Sequence, residues 1–133
     1  KVMDDVLAWL SNYAMDHGIG IIFDKKLPPD APSDSWEFPP IAIINSNWYN
    51  KNELPFITAH EICHVLYGSA EYYHSACRGT ELGESDANLG AIKLLLQYAQ
   101  ETDMHFATYY QFANAFCIPK KHYYLIDAYL IAK

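Results

Sequence analysis

Apolar residues recur with helical spacing near the start of the chain: Val6, Leu7, Leu10 and Ala14 fall on one side of the segment Met3 to His17. Residues three and four apart share a helix face, so the pattern predicts an amphipathic helix stopping at Asp16-His17-Gly18. Gly20-Ile21-Ile22-Phe23 predicts a strand. Lys26 to Pro40 holds Pro28, Pro29, Pro32, Pro39 and Pro40, which predict an irregular loop. Ile41 to Asn45 predicts a second strand, and Asn47-Trp48-Tyr49-Asn50 a turn carrying exposed aromatics. A largely apolar helix follows over Phe56 to Leu66. Asn52 is its expected N-cap, Glu53 and Pro55 lie near its start, and Gly68 is its expected stop.

Glu71 to Arg78 reads as a loop. A helix is then expected from near Glu84, with Ala87, Ala91, Leu94 and Leu95 at helical spacing. Two more are expected, Asp103 to Cys117, closed by Ile118-Pro119, and Lys121 to Ile131. Tyr109, Tyr110, Tyr123 and Tyr124 enrich this end in aromatics, mostly as core, with a partner-binding patch the sharper reading. The expected class is α+β: one domain over residues 1–133, mostly helical, with a small antiparallel or mixed sheet beside the Phe56–Leu66 helix.

Composition narrows the setting. A hydrophobic fraction of 51% with 19% charged residues argues against disorder. No apolar run has membrane-spanning length, and no secretory pattern opens the sequence, which begins at Lys1 and so implies a short missing N-terminal piece. Cys63, Cys77 and Cys117 are odd in number and not arranged as Cys-x-x-Cys, which suits a reduced cytoplasmic protein. Cys63 is expected to pack as a small apolar group. A net charge of −7 counts against direct nucleic-acid binding and leaves a protein partner as the expectation.

The chemistry concentrates in His60-Glu61-Ile62-Cys63-His64. With 6 histidines in the chain, a bare H-E-x-x-H arises by chance in about one such sequence per hundred. Its setting in an apolar helix makes it informative. On a helix His60 and His64 share a face and can offer two imidazole nitrogens to one ion, the geometry zinc requires. Glu61, about a quarter-turn away, can take the proton of a water activated there without ligating the metal.

A catalytic zinc site takes three protein ligands and keeps one position open. Glu84 on the first turn of the next helix can complete a His2Glu set. Glu81, Asp86 and Cys77 compete with it, and spacing alone does not separate them. Asn88, one turn beyond Glu84, can hydrogen-bond the outer nitrogen of a ligating histidine. Tyr72, Tyr73 and His74 in the intervening loop are candidate stabilisers of a developing oxyanion, although loop tyrosines more often cover core.

Ile43-Ile44-Asn45, then Phe56-Ile57-Thr58-Ala59-His60-Glu61-Ile62-Cys63-His64, then Glu84-x-x-Ala87-Asn88, together resemble the ImmA/IrrE family of zinc peptidases. The resemblance covers Ile41 to roughly Leu96. It implies a zincin-like (gluzincin) domain, one Zn2+ on His60, His64 and Glu84, and Glu61 as general base. It raises Glu84 above Glu81 and implies a strand near the cleft that pairs with extended substrate. The chain departs from the family at Leu89-Gly90-Ala91-Ile92, where a Phe-Ala pair is usual, and at Leu94-Leu95-Leu96-Gln97, which lacks the usual closing Met-Pro. Gly90 costs a helix about 1 kcal/mol relative to alanine, and suggests close packing against the His60/His64 helix.

The resemblance implies a cytoplasmic endopeptidase whose substrate is a transcriptional repressor of a phage or mobile element. The alternative is a non-proteolytic anti-repressor that binds its partner, its zinc closed by His74 or Cys77 as a fourth ligand. A metal-free helical domain with an accidental motif is the weakest reading.

Overall fold

A computed structural model of the chain describes residues 2–70 and 81–132, with side chains described for 4–67 and 83–129. The fold is α+β and mostly helical. Helix α1 spans Val2–Asp16, strands β1 Gly20–Asp24, β2 Asp34–Glu37 and β3 Pro40–Asn45, and helices α2 Leu54–Ala70, α3 Glu81–Glu101, α4 Tyr109–Ala115 and α5 Tyr123–Ala132. Single 3-10 turns at Lys51–Glu53 and Lys120–His122 precede α2 and α5. Among the described residues no helix is long and apolar enough to cross a membrane.

The sheet is small and mixed, in the order β1-β3-β2. Central β3 runs parallel to β1, with Gly20 opposite Ile41 and Asp24 opposite Asn45, and antiparallel to β2, with Asp34 opposite Ile43. Ala42 and Ile44 point to one face of β3 and are fully buried with Leu54, as a two-residue period requires when one face meets core. Helix α2 packs against this sheet on one side and against α3 on another, with α1 beside it. Val6, Leu10 and Ala14 of α1 are buried as their spacing predicts.

Three helices end in the same way. Gly18, with φ 75°, follows α1, where Ile19 N–H donates to Ala14 O at 2.8 Å and Gly18 N–H to Met15 O at 3.0 Å. This is the Schellman arrangement, which satisfies carbonyls a helix end leaves open. It recurs after α3, where Asp103 has φ 61° and Met104 N–H donates to Ala99 O at 2.8 Å. It recurs again after α4, with Cys117 at φ 52° and Ile118 N–H donating to Ala113 O at 2.9 Å.

Five expectations are corrected. Asp103 terminates α3, so the helix expected over Asp103 to Cys117 shortens to Tyr109–Ala115. Thr108 caps it, Oγ1 accepting from Gln111 N–H at 3.3 Å, while Gln111 Oε1 accepts from Ala107 N–H at 2.8 Å. The expected loop Lys26 to Pro40 contains β2, in the proline-free window Asp34–Glu37. Asn50, not Asn52, makes the cap before α2, its Oδ1 accepting from Asn52 N–H at 3.1 Å. Gly68 does not stop α2, which runs to Ala70, and α3 begins three residues before Glu84, at Glu81.

The α2–α3 contact turns on Gly90. A Cβ there would stand 2.7 Å from Cys63 Sγ and collide with the Tyr67 hydroxyl, so only glycine lets the two helices approach this closely. Gly90→Ala is expected to lower stability by about 1 kcal/mol net: overpacking costs about 1–3 kcal/mol, and helix propensity returns about 1. Urea unfolding measures this, and the loss should shrink in a Cys63→Ala background. Gly90→Ala at or above parental stability would show that the contact relaxes freely.

Candidate metal centre

His60 and His64 stand one turn apart on α2, their ring centroids 4.6 Å apart and the planes nearly perpendicular at 86°. The carboxylate of Glu84, from the first turns of α3, spans both. Its Oε1 lies 3.1 Å from His60 Nε2 and its Oε2 3.1 Å from His64 Nε2. The histidine side chains are 15% and 9% exposed and that of Glu84 is 44% exposed, so the group sits at the floor of an opening.

The donor set fits zinc. Zn–N and Zn–O bonds of about 2.0–2.2 Å at tetrahedral angles place neighbouring ligand atoms about 3.3 Å apart, close to the separations observed. One ligand atom from each of His60, His64 and Glu84 lies within 4.8 Å of the others, and among the described residues these three form the whole metal-capable group. Asp86 is not part of it. The Glu81 side chain and Cys77 lie outside the described residues.

Protonation favours the same role. Burial holds the His60 imidazole below its ordinary pKa, opposed by the Glu84 carboxylate and by the Asn88 side chain. A lowered pKa keeps the ring neutral at pH 7, the form that ligates a metal. Asn88 is buried and hydrogen-bonds the His60 ring, but His60 Nδ1 is buried without a hydrogen-bond partner.

Above this floor lies a cleft of about 660 Å³. Glu61, Ser85 and Asn88 line it with His60 and Glu84, while Phe56, Ile57, Trp48, Pro32 and Pro119 supply apolar wall. Trp48 is half-buried rather than exposed in a turn, and its indole Nε1 donates to Glu53 Oε1 at 2.8 Å. Only Tyr49 of that aromatic pair is exposed, at 67%.

The 3-10 turn before α5 adds Lys121 and His122 to the lining, and the first turn of α5 adds Tyr124. His122 carries no signal in the sequence, lying 58 positions from His64 in no motif. Its imidazole stacks on Phe56, centroids 5.6 Å apart at 27°. Burial lowers its pKa, aided by Lys121 and His60 and opposed by Glu84. The candidate oxyanion residues Tyr72, Tyr73 and His74 lie outside the described residues.

Comparison of the chain with protein-family models, curated proteins and solved structures finds no match.

Cys63 lies beside the histidines in sequence but faces Gly90 and Tyr67. Burial pushes its thiol up to about 12, which removes the thiolate that alkylation and metal binding require. Iodoacetamide at pH 8 should therefore leave Cys63 unmodified in the native protein and label it after unfolding, as read by peptide mass mapping. Native labelling as fast as that of a free thiol would place Cys63 outside the core.

Proposed function

We propose that the chain is a zinc-dependent endopeptidase of the ImmA/IrrE type, with a zincin-like fold, acting in the cytoplasm on a protein substrate. By the resemblance, that substrate is a phage or mobile-element repressor whose cleavage relieves repression. The observation that carries the reading is the Glu84 carboxylate spanning His60 and His64 at the floor of the cleft that Glu61 also lines.

His60 Nε2, His64 Nε2 and Glu84 would hold the metal. Zinc bound there supplies Lewis acidity, lowering the pKa of water to about 7 and polarising a peptide carbonyl. Glu61 is the general base: a carboxylate oxygen accepts one proton from the attacking water as oxygen bonds to the scissile carbon. That proton then passes from Glu61 to the amide nitrogen as the C–N bond breaks, leaving a carboxylic acid and an amine. The apolar wall at Phe56, Ile57 and Trp48 receives substrate side chains and keeps bulk water from the reacting groups.

The competing reading is an anti-repressor that binds without cutting, around a closed structural zinc. Closed sites use four protein ligands. The group described has three members, and the fourth-ligand candidates His74 and Cys77 lie outside the described residues. Glu61→Gln separates the two. It should retain zinc and lose cleavage of the partner by about 100- to 10,000-fold, the range general-base catalysis supplies. Undiminished cleavage would remove Glu61 from the chemistry. Undiminished relief of repression without cleavage would favour the binding protein.

A further inference from the structure

We propose that His122 is the electrophilic partner of Glu61 in the cleft, donating a ring N–H to the oxygen of the tetrahedral intermediate in peptide hydrolysis. The inference rests on the peptidase reading and assigns the hydrogen-bond donor which that reading leaves open.

His122 lines the same cleft as His60, Glu61 and Glu84, yet it is not a member of the metal-capable group. It reaches the cleft from the turn before α5 and not from the helices that carry that group, which suits a group that approaches substrate rather than metal. Its place is fixed at both ends. The backbone is held in the 3-10 turn, His122 N–H donating to Pro119 O at 2.9 Å. The ring lies flat on Phe56, which is 6% exposed and whose own ring centroid is 6.3 Å from that of His60. One buried aromatic thus packs against both histidines.

A neutral imidazole carries one N–H donor in either tautomer, so the role requires no protonation change. Pre-positioned donors stabilise developing charge because they need no reorganisation as it forms. Tyr124 also lines the cleft and bears a donor hydroxyl, but its side chain is 61% exposed. A solvated donor on an open rim is less restrained than a half-buried ring stacked on Phe56.

The test compares two inhibitors on the zinc-loaded protein by isothermal titration calorimetry. Acetohydroxamic acid chelates the metal without presenting a tetrahedral oxyanion. A phosphinic tripeptide with apolar side chains on both sides of phosphorus presents one. His122→Ala and His122→Gln should retain zinc and hydroxamate affinity. His122→Ala should weaken phosphinic-peptide binding by about 10- to 100-fold, the strength of a hydrogen bond to a charged group, and His122→Gln should recover part of the loss.

Equal weakening of both inhibitors, or none of either, would overturn the assignment. So would selective loss in Tyr124→Phe with His122→Ala unaffected. Wild-type protein that takes up no zinc and binds neither inhibitor would overturn the peptidase reading and this inference together. If His122→Ala fails to fold by circular dichroism, His122→Phe, which keeps the stack on Phe56 and removes the donor, decides in its place.

Discussion

Helices α2 and α3 can meet only because position 90 has no side chain. Cys63 Sγ and the Tyr67 hydroxyl occupy the space a Cβ would need, and fully buried Ala59, Ala87 and Ala91 keep the surrounding core small. Small residues at a helix contact let backbones approach and turn many weak dispersion contacts into one defined geometry. With α3 held there, Glu84 lands between His60 and His64. Two nearly buried imidazoles and a carboxylate would cost free energy without partners. Here each histidine faces one oxygen of the same carboxylate, leaving their shared centre as the place where a cation gains most.

The remainder of the fold builds walls around that centre. Asn45, fully buried at the end of β3, donates from Nδ2 to Pro28 O at 2.7 Å and Ala31 O at 2.8 Å, and accepts at Oδ1 from Asn47 N–H at 2.9 Å. Its own N–H donates to Ser33 Oγ at 2.8 Å. One side chain thus ties the proline-rich segment to the strand beside α2, and Pro32 and Ser33 reach the cleft from it. Glu53 accepts from both Trp48 and Asn50 and fixes the entry to α2. Phe56 joins that entry to the distant turn bearing His122. Four stretches far apart in sequence therefore meet at one opening, with polar groups at the floor and apolar groups at the sides.

Much of this was legible in the sequence because it rests on local spacing. The apolar stripe of α1, the stop at Gly18, β1, β3 and the pairing of His60 with His64 each depend on residues within a turn or two. Gly90 signalled a tight contact because a glycine inside a helix needs a reason. What failed involved competing local signals. Five prolines masked the four residues of β2, whose pairing with β3 is settled by tertiary contact. Asp103 looked like a helix start, being a good N-cap type, but it closes α3 in the left-handed conformation that aspartate tolerates better than most residues. Thr108-x-x-Gln111 carried a capping-box signal that would have placed the start of α4 correctly. His122 had no local signal, since only the folded chain brings it to Phe56.

Metal content is the most direct measurement of the central claim, made on purified wild-type protein and Glu84→Ala by plasma emission spectrometry after zinc loading and dialysis. About one zinc per chain is expected in the wild type, with most of it lost from the variant, because Glu84 closes the donor set between His60 and His64. Full retention by Glu84→Ala would move the third ligand elsewhere. A wild-type protein that takes up no zinc would leave the Glu84 carboxylate a purely structural link between α2 and α3.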